Sequence, residues 1–391
     1  MTGEAILKIA SGRRSLLAGL RRELHSRPET SGQEHATTRF IMDFLAERGL
    51  KSEVTTFGTG CVCTFGEGPD TLLLRADIDA LPVEEETGAP FASAKKGVMH
   101  ACGHDVHTAI LLAVADTLCS GEVEFEGRLI LLFQPAEEGK GGCRSLVEQG
   151  LLERFHPRRA VALHVWPGLA SNCVALVPGP FMAGVNHLKV EFTASGGHGA
   201  LPHGVPDTIA AAAHFVTTVQ ALLTRKLDAR KRGLLTFGMF HGGSAPNIIP
   251  PKVSLEGTMR WFEEEAKDEI AETVSHSASL CAALYGAEAS VQIDEGYVPT
   301  VNSPQAAKEL EVGLRGVLGG ERVKKAEISM GSEDMGFILS RVEGVYLEVG
   351  AGSTGPGAQA LHCPRFLPEE ECLETGFAAM LTAVRTFARL P

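Results

Sequence analysis

The sequence predicts an α/β protein in which a smaller α+β domain is inserted into a larger domain. The larger domain has a mostly parallel sheet flanked by helices. Three observations support this prediction. The chain has 391 residues, which exceeds one ordinary hydrophobic core. Continuous apolar strands alternate with helices towards both ends of the chain, and strands of alternating polarity lie in the middle.

The first part of the chain contains three apolar strands. They are "TLLLRA" at 71–76, "RLILLFQ" at 128–134 and "RAVALHV" at 159–165. Helices are predicted between them, at 107–118 with Asp105 as N-cap and over "CRSLVEQGLL". Strands that are apolar throughout indicate a parallel sheet covered on both faces.

The composition and the apolar–polar pattern of the sequence change near 175–184, where proline and glycine cluster. The segments "HLKVEFTAS", "GLLTFGMF" and "KVSLEGTMRWF" then alternate apolar and polar residues, as strands with one solvated face do. Helices are predicted at 207–223 and 266–285. We therefore expect a first part of the larger domain at 1–181, an inserted domain at 182–297, and the second part at 298–391.

The composition excludes several classes of protein. A net charge of −12 argues against nucleic-acid binding, which needs a basic surface. No segment approaches the roughly 18 consecutive apolar residues of a membrane span. The nine cysteines do not show the spacing of a disulfide framework, which indicates reduced thiols. We therefore expect a cytoplasmic protein.

Polar residues with metal-binding side chains follow the predicted strands or precede a helix. They are Asp77 and Asp79, Glu137 and Glu138, His164, and the group Cys102, His104 and His107. In open α/β sheets, ligands bind outside the carboxyl ends of the strands. Thiolate, imidazole and carboxylate together suit Zn²⁺ or another borderline divalent ion, so a metal site is predicted at this edge.

The neighbouring residues Glu137 and Glu138 cannot point the same way from an extended segment. One of them is therefore expected to ligate metal while the other stays available as a base. A bound divalent ion lowers the pKa of water, and a nearby carboxylate can then take the proton.

Seven motifs occur in an order that resembles a known family. They are "RADIDALPVEEETG", "MHACGHDVHTA", "FQPAEEG", "GGHGALPH", "NIIP", "SEDMGF" and "LHCPRF". Together they resemble the M20 peptidase superfamily over essentially the whole chain. The branch they resemble contains hippurate hydrolase, N-acyl-amino-acid aminoacylases and auxin–amino-acid conjugate hydrolases.

The resemblance implies a centre of two divalent metal ions. The residues at its ligand positions are Cys102, His104, Glu138, His164 and His362. Glu137 stands at the position of the general base, and Asp79 at that of the carboxylate that orients a ligand histidine. Zn²⁺ or Mn²⁺ is expected, and Co²⁺ or Ni²⁺ also suits such ligands.

The resemblance also implies roles for three residues of the inserted domain. His198 matches the histidine that polarises the scissile carbonyl, from its own or the partner subunit. Asn247 and Arg260 match positions that hold the substrate carbonyl and carboxylate. The inserted domain is then a lid and dimerisation domain, and a homodimer or higher oligomer is expected.

The expected reaction is hydrolysis of the amide bond of a small-molecule N-acyl amino acid by a metal-activated water, with Glu137 as general base. The alternative is a dipeptidase or an N-acetyl-diaminopimelate deacetylase that uses the same centre. A different class of alternative is a non-catalytic metal-binding or sensor protein of the same fold. The roles of His107, His203 and Cys363 stay open.

Two other interpretations are weaker. "AGSTG" at 351–355 is close to the nucleophile elbow of serine hydrolases, but Pro356 and Gly357 follow where that motif needs a helix. "GKGG" at 139–142 lies between a strand and a helix, but it lacks the full spacing of a nucleotide-binding loop.

Overall fold

A computed structural model describes residues 1–123 and 126–388 of the chain, apart from the side chain of Lys140. The helices are α1 (Gly3–Gly12), α2 (Arg14–Ser26), α3 (His35–Ala46), α4 (His104–Cys119), α5 (Glu137–Lys140), α6 (Gly142–Glu148), α7 (Leu151–Phe155), α8 (Thr208–Lys226), α9 (Glu264–Leu284), α10 (Pro304–Leu318), α11 (Gly336–Leu339) and α12 (Glu371–Phe387).

The strands run from β1 to β16 in chain order. They are β1 (Ser52–Val54), β2 (Cys61–Glu67), β3 (Thr71–Asp77), β4 (Gly127–Gln134), β5 (Arg159–Pro167), β6 (Val174–Leu176), β7 (Gly179–Met182), β8 (Gly184–Thr193), β9 (Gly197–His198), β10 (Gly233–Gly242), β11 (Ile248–Ile249), β12 (Lys252–Trp261), β13 (Glu288–Tyr297), β14 (Thr300–Asn302), β15 (Val323–Lys325) and β16 (Gly344–Gly352).

The chain forms two compact units. Unit 1 comprises Met1–Phe181, Thr300–Ile328 and the residues from Asp334 onward. Unit 2 comprises Met182–Pro299 and the short segment Ser329–Glu333.

Unit 1 is built on one large, mainly parallel sheet with the strand order β1-β2-β4-β3-β5-β16-β6-β15. The central strands β4, β3, β5 and β16 pair in parallel, whereas β1 and β2 add an antiparallel edge. All seven residues of β3 and all nine of β16 are buried. Strands buried on both faces explain the continuous apolar runs of the sequence.

Alternation along the strands separates two sets of side chains in unit 1. Leu72, Leu74 and Ala76 of β3 join the hydrophobic core that α4 and α12 also line. Arg75 and Asp77 therefore project from the other face of the same strand. Every residue of α4 except Asp116 and Cys119 is buried, so this helix lies in the core rather than at the surface.

Unit 2 is an α+β layer with the sheet order β10-β12-β8-β13, all neighbours antiparallel. Helices α8 and α9 pack on one face of this sheet. Strand β13 alternates between half-buried and exposed residues because its other face meets solvent. A second ladder pairs β9 with β11.

The predicted fold class is confirmed, since the molecule is a mixed α/β protein with a large, mainly parallel sheet flanked by helices. One local prediction was wrong. Asp105 does not cap α4, because the helix already begins at His104 and its N-cap is Gly103, so Asp105 lies within the first turn. The Asp105 carboxylate instead contacts Arg21 and His25 of α2.

A second difference concerns the segment "CRSLVEQGLL". It forms two short helices, α6 and α7, because Gly150 between them has φ +89°. Among the described residues, no helix is long and apolar enough to cross a membrane.

Candidate metal centre

Separate elements of unit 1 deliver the predicted ligands to one place. Cys102 and His104 flank the turn at Gly103, which leads into α4. Gly103 has φ +80°, and a Cβ there would lie 2.3 Å from a methyl group of Val165. Only glycine therefore allows this turn to approach β5, the strand that carries His164.

The ligand atoms converge in two groups that share Cys102. One group is Cys102, His104 and His164, and the other is Cys102, Glu138 and His362. Within each group the ligand atoms all lie within 4.8 Å of one another. The structure thus brings together all five residues at the predicted ligand positions.

Asp79 orients His104. The imidazole Nδ1 of His104 donates to the Asp79 carbonyl oxygen at 2.9 Å and lies 3.2 Å from Asp79 Oδ1. Asp79 Oδ2 in turn accepts from Ser31 Oγ at 2.6 Å and from the Glu138 N–H at 2.9 Å. Nε2 of His104 is consequently the nitrogen left for a ligand.

His164 is fixed in the same way. Its Nδ1 donates to the Val165 carbonyl oxygen at 2.7 Å, and its Nε2 lies 3.3 Å from Cys102 Sγ. Burial and the neighbouring His107 hold the pKa of His164 well below its usual range. A neutral imidazole is the form that binds metal.

The polar atoms of this centre fit a cation. Nε2 of His104 and Oε1 of Glu138 are buried, and neither has a well-aligned hydrogen-bond partner within the described ranges. Burial raises the pKa of the Cys102 thiol well above its usual value, and the Glu138 and Glu137 carboxylates add to this rise. Burial lowers the pKa of His104, but the carboxylates of Asp77 and Asp79 outweigh it and raise that pKa to about 10. Positive charge is therefore favoured where these groups meet.

The turn that carries Glu137 and Glu138 has an unusual backbone. Ala136 adopts φ +58°, in the left-handed region, and its N–H donates to Glu34 Oε1 at 2.9 Å. Glu34 is fully buried, and its Oε2 accepts from Thr59 Oγ1 at 2.7 Å. Glu137 itself is 8% exposed.

Glu34 and Ser31 were not predicted from the sequence. They lie in the segment before α3 and hydrogen-bond Ala136 and Asp79 of the site. Both stand in a polar stretch, "ETSGQE", that indicates only a turn. Their contacts with Ala136 and Asp79 span 102 and 48 residues of chain. No local pattern reports such contacts.

His362 reaches the centre from a loop after β16. It has φ +66°, and its N–H donates to the Ala101 carbonyl oxygen at 2.9 Å, which ties the loop to the Cys102 turn. Its Nε2 lies 3.2 Å from Glu138 Oε1, and this contact raises the pKa of His362. Half of the His362 side chain is exposed, so the centre opens to solvent on this side.

His107 is close to the centre, but both of its ring nitrogens are engaged. Nδ1 donates to Asp77 Oδ1 at 2.5 Å, and Nε2 accepts from the Val165 N–H at 2.9 Å. An imidazole with both nitrogens occupied offers no lone pair to a metal. Cys363, beside His362, packs against the hydrophobic core.

The predicted substrate-contact residues all belong to unit 2. His198 is exposed, and its Nδ1 accepts from the Ala200 N–H at 3.0 Å, which leaves the proton on Nε2. Asn247 is exposed next to it, since the Asn247 carbonyl oxygen accepts from the Gly199 N–H.

Arg260, half-buried on β12, donates from Nη1 to the Met330 carbonyl oxygen at 2.7 Å and lies 3.1 Å from Ser332 Oγ. Within the described part of the chain these contacts use Nη1 alone, so the other edge of the guanidinium stays available. His203 lies on an exposed 3-10 turn, Pro202–Gly204.

Two curated relatives are similar to nearly the whole chain. N-acetyl-L-cysteine deacetylase of Bacillus subtilis (strain 168) is 36% identical over 91% of this chain and 84% of its own length. N-acetyldiaminopimelate deacetylase of Streptococcus pneumoniae is 34% identical over 92% of this chain and 96% of its own length.

Two solved structures have the same fold. One, from methicillin-resistant Staphylococcus aureus, has a TM-score of 0.91 at 28% identity and covers 100% of both chains. The other is a dinuclear metal-binding peptidase of the M20 family from Bacillus subtilis, with a TM-score of 0.83 at 29% identity over 97% and 99% of the two chains.

The family model described as peptidase family M20/M25/M40 matches residues 73–386, which include the metal centre and all of unit 2. The resemblance seen in the motifs is thereby confirmed. The non-catalytic alternative is set aside, because the relatives are enzymes. The chain is an amidohydrolase and belongs to peptidase family M20/M25/M40.

Proposed function

We propose that the protein removes the acetyl group from N-acetylated amino acids and releases acetate and a free amino acid. Support comes from the two deacetylases that match over more than nine-tenths of this chain. These relatives favour the deacetylase alternative over a broad N-acyl range and over a dipeptidase. N-acetyl-L-cysteine and N-acetyldiaminopimelate are therefore the first candidate substrates.

The observation that carries this proposal is the pair of ligand groups joined at Cys102. One divalent ion would be held by Cys102, His104 and His164, and the other by Cys102, Glu138 and His362. Bound divalent ions supply Lewis acidity and lower the pKa of water towards neutrality. Zn²⁺ or Mn²⁺ suits this mixed donor set, and Co²⁺ or Ni²⁺ is also compatible with it.

Glu137 is the proposed general base. A carboxylate oxygen of Glu137 lies within 4.8 Å of ligand atoms of both His104 and Glu138, so the base is placed beside the ligand cluster. Glu137 takes the proton of the attacking water and passes it to the nitrogen of the leaving amino acid. Asp79 keeps His104 in the tautomer whose Nε2 faces the centre.

The proposed contacts with substrate come from unit 2. His198 donates from Nε2–H to the scissile carbonyl oxygen, because its Nδ1 is already occupied by the Ala200 N–H. The free edge of Arg260 pairs with the carboxylate of the amino acid, and Asn247 donates to the carbonyl. We infer that unit 2 also serves as lid and dimer interface, with His198 acting in its own or the partner subunit.

A substrate panel tests the proposal. The protein is stripped with a chelator, reloaded separately with Zn²⁺, Mn²⁺, Co²⁺ or Ni²⁺, and assayed with four amides. These are N-acetyl-L-cysteine, N-acetyldiaminopimelate, an N-benzoyl amino acid and a dipeptide. We expect no turnover in the stripped protein and a kcat/KM at least tenfold higher for an acetylated amino acid than for the other two amides.

Each part of the proposal has its own contrary result. A preference for the dipeptide or the benzoyl compound would overturn the deacetylase assignment and leave the metal centre in place. Full turnover after chelation, with no metal in the sample by elemental analysis, would overturn the metal centre itself.

A further inference from the structure

We propose that Arg75 is a positioning residue of the metal centre and acts on His164 through Asp77 and His107. The proposal rests on the metal centre described under the proposed function. None of these three side chains is at a ligand position. Together they form a buried polar chain that ends on the peptide N–H next to His164.

The chain begins at a guanidinium that is 1% exposed. Arg75 Nη1 donates to Asp77 Oδ2 at 2.6 Å, Nη2 donates to Asp334 Oδ1 at 2.8 Å, and Nε donates to Gln134 Oε1 at 2.8 Å. Each of its three nitrogens therefore holds a different acceptor. Only the planar fork of arginine reaches three acceptors in fixed directions.

The next contact, between Asp77 and His107, fixes which nitrogen of the imidazole carries the proton. Asp77 presents its other oxygen, Oδ1, to the His107 Nδ1–H. This hydrogen bond places the lone pair of His107 on Nε2, where it accepts from the Val165 N–H at 2.9 Å. The same peptide unit, between His164 and Val165, belongs to the ligand strand β5. The orientation of Arg75 is thus passed to the backbone that carries His164.

A second branch leads from Arg75 to the turn of Glu137 and Glu138. Asp334 accepts from Gln134 Nε2 at 2.8 Å and from the Cys143 N–H at 2.9 Å. Gln134 ends β4 immediately before this turn, and Cys143 follows it. One guanidinium therefore connects the segments on both sides of the turn to the strand that carries Asp77.

Charge balance alone does not explain this arrangement. Asp77 and Asp334 are both fully buried, and Arg75 bridges them. A lysine would keep the positive charge but not the three fixed directions. Charge balance predicts that lysine restores the site, whereas positioning predicts that it does not.

Four variants separate these possibilities. Arg75→Lys keeps the charge, His107→Leu cuts the link to Val165, and His107→Gln keeps both a donor and an acceptor. Asn302→Ala is the control, because buried Asn302 bonds Val177 and Tyr346 and contacts none of the ligands. The readouts are the Kd for Co²⁺ and the cobalt–thiolate absorption band of the full chain. The melting temperature of the metal-free protein is measured alongside.

We expect Arg75→Lys and His107→Leu to weaken Co²⁺ binding about 10- to 100-fold and to shift the cobalt–thiolate band, as loss of supporting hydrogen bonds does in other metal sites. His107→Gln should bind within about threefold of the wild type. Asn302→Ala should lose thermal stability but keep its Kd within about twofold.

Unchanged Co²⁺ affinity and spectrum in both Arg75→Lys and His107→Leu would overturn the proposal. So would an equal loss of affinity in Asn302→Ala at an equal loss of stability, because binding would then follow overall stability. If Arg75→Lys does not fold, the two His107 variants decide. Failure of the wild type to bind Co²⁺ would overturn the proposed function itself, and this inference with it.

Discussion

The two units differ in how far their predicted functional side chains are buried. In unit 1 the side chains of the predicted metal centre are mostly buried, and His104 and His164 each direct Nδ1 to a backbone carbonyl oxygen. In unit 2, the predicted substrate-contact residues His198 and Asn247 are exposed, and the one side-chain hydrogen bond described for His198 uses Nδ1.

This difference in exposure corresponds to two tasks, metal binding in unit 1 and substrate contact in unit 2. Ligands of a metal ion must keep their geometry without substrate, and burial among partners provides that. Groups that meet a substrate need access to it. Variants at the buried centre should therefore change metal binding or stability, whereas variants at the exposed residues should change turnover alone.

The largest expected effect is at Glu137, which lies in unit 1 but is expected to change turnover and not metal binding. Glu137→Gln should lower kcat by about 10² to 10⁴-fold, because the base is lost while the ligands stay. Metal content by elemental analysis should equal that of the wild type. Glu148→Gln, an exposed side chain at the end of α6, is the matched control and should keep its activity. Near-normal turnover in Glu137→Gln would remove this residue from the mechanism.

A smaller effect is expected in unit 2. His198→Ala should lower kcat about 10- to 100-fold, because a hydrogen-bond donor to the developing oxyanion is lost. Its metal content and melting temperature should not change, since the side chain is exposed. His276→Ala, another exposed histidine of unit 2, serves as control. Loss of bound metal in His198→Ala would contradict the division between the units.

The last expected effect is on stability and not on turnover, and it concerns a buried carboxyl of unit 1, Glu348. Burial raises the pKa of Glu348 from 4.5 to about 8, and the Glu327 carboxylate adds to the rise. The folded state therefore holds this proton more tightly than the unfolded state. The stability that it contributes is complete below about pH 4.5 and is lost as the pH rises towards 8.

Glu348→Gln removes this pH dependence. The unfolding free energy of the variant relative to the wild type should rise by on the order of 3 kcal/mol between pH 5 and pH 9. The difference between the two melting temperatures should rise with it. Glu311→Gln, at a partly exposed position of α10, is the control and should show no such trend. Parallel melting curves for Glu348→Gln and the wild type across this range would contradict the raised pKa.

Much of unit 1 could be predicted because its signals are local. The apolar runs at 71–76, 128–134 and 159–165 became β3, β4 and β5, each within two residues of its predicted ends. Residues that follow parallel strands share one edge of the sheet, so the strand pattern alone predicts that Glu138 and His164 lie close together.

The sequence by itself determined the layered α/β architecture and the set of groups at the strand ends, because periodicity and strand ends are properties of neighbouring residues. Only the tertiary structure decided how those groups are held. Glu34 reaches Ala136 across 102 residues, Asp334 reaches Arg75 across 259, and Asp105 turns to α2 instead of capping α4. The physical reason is that a buried polar group must find its partner wherever the chain brings one, and that partner is chosen by packing rather than by sequence distance.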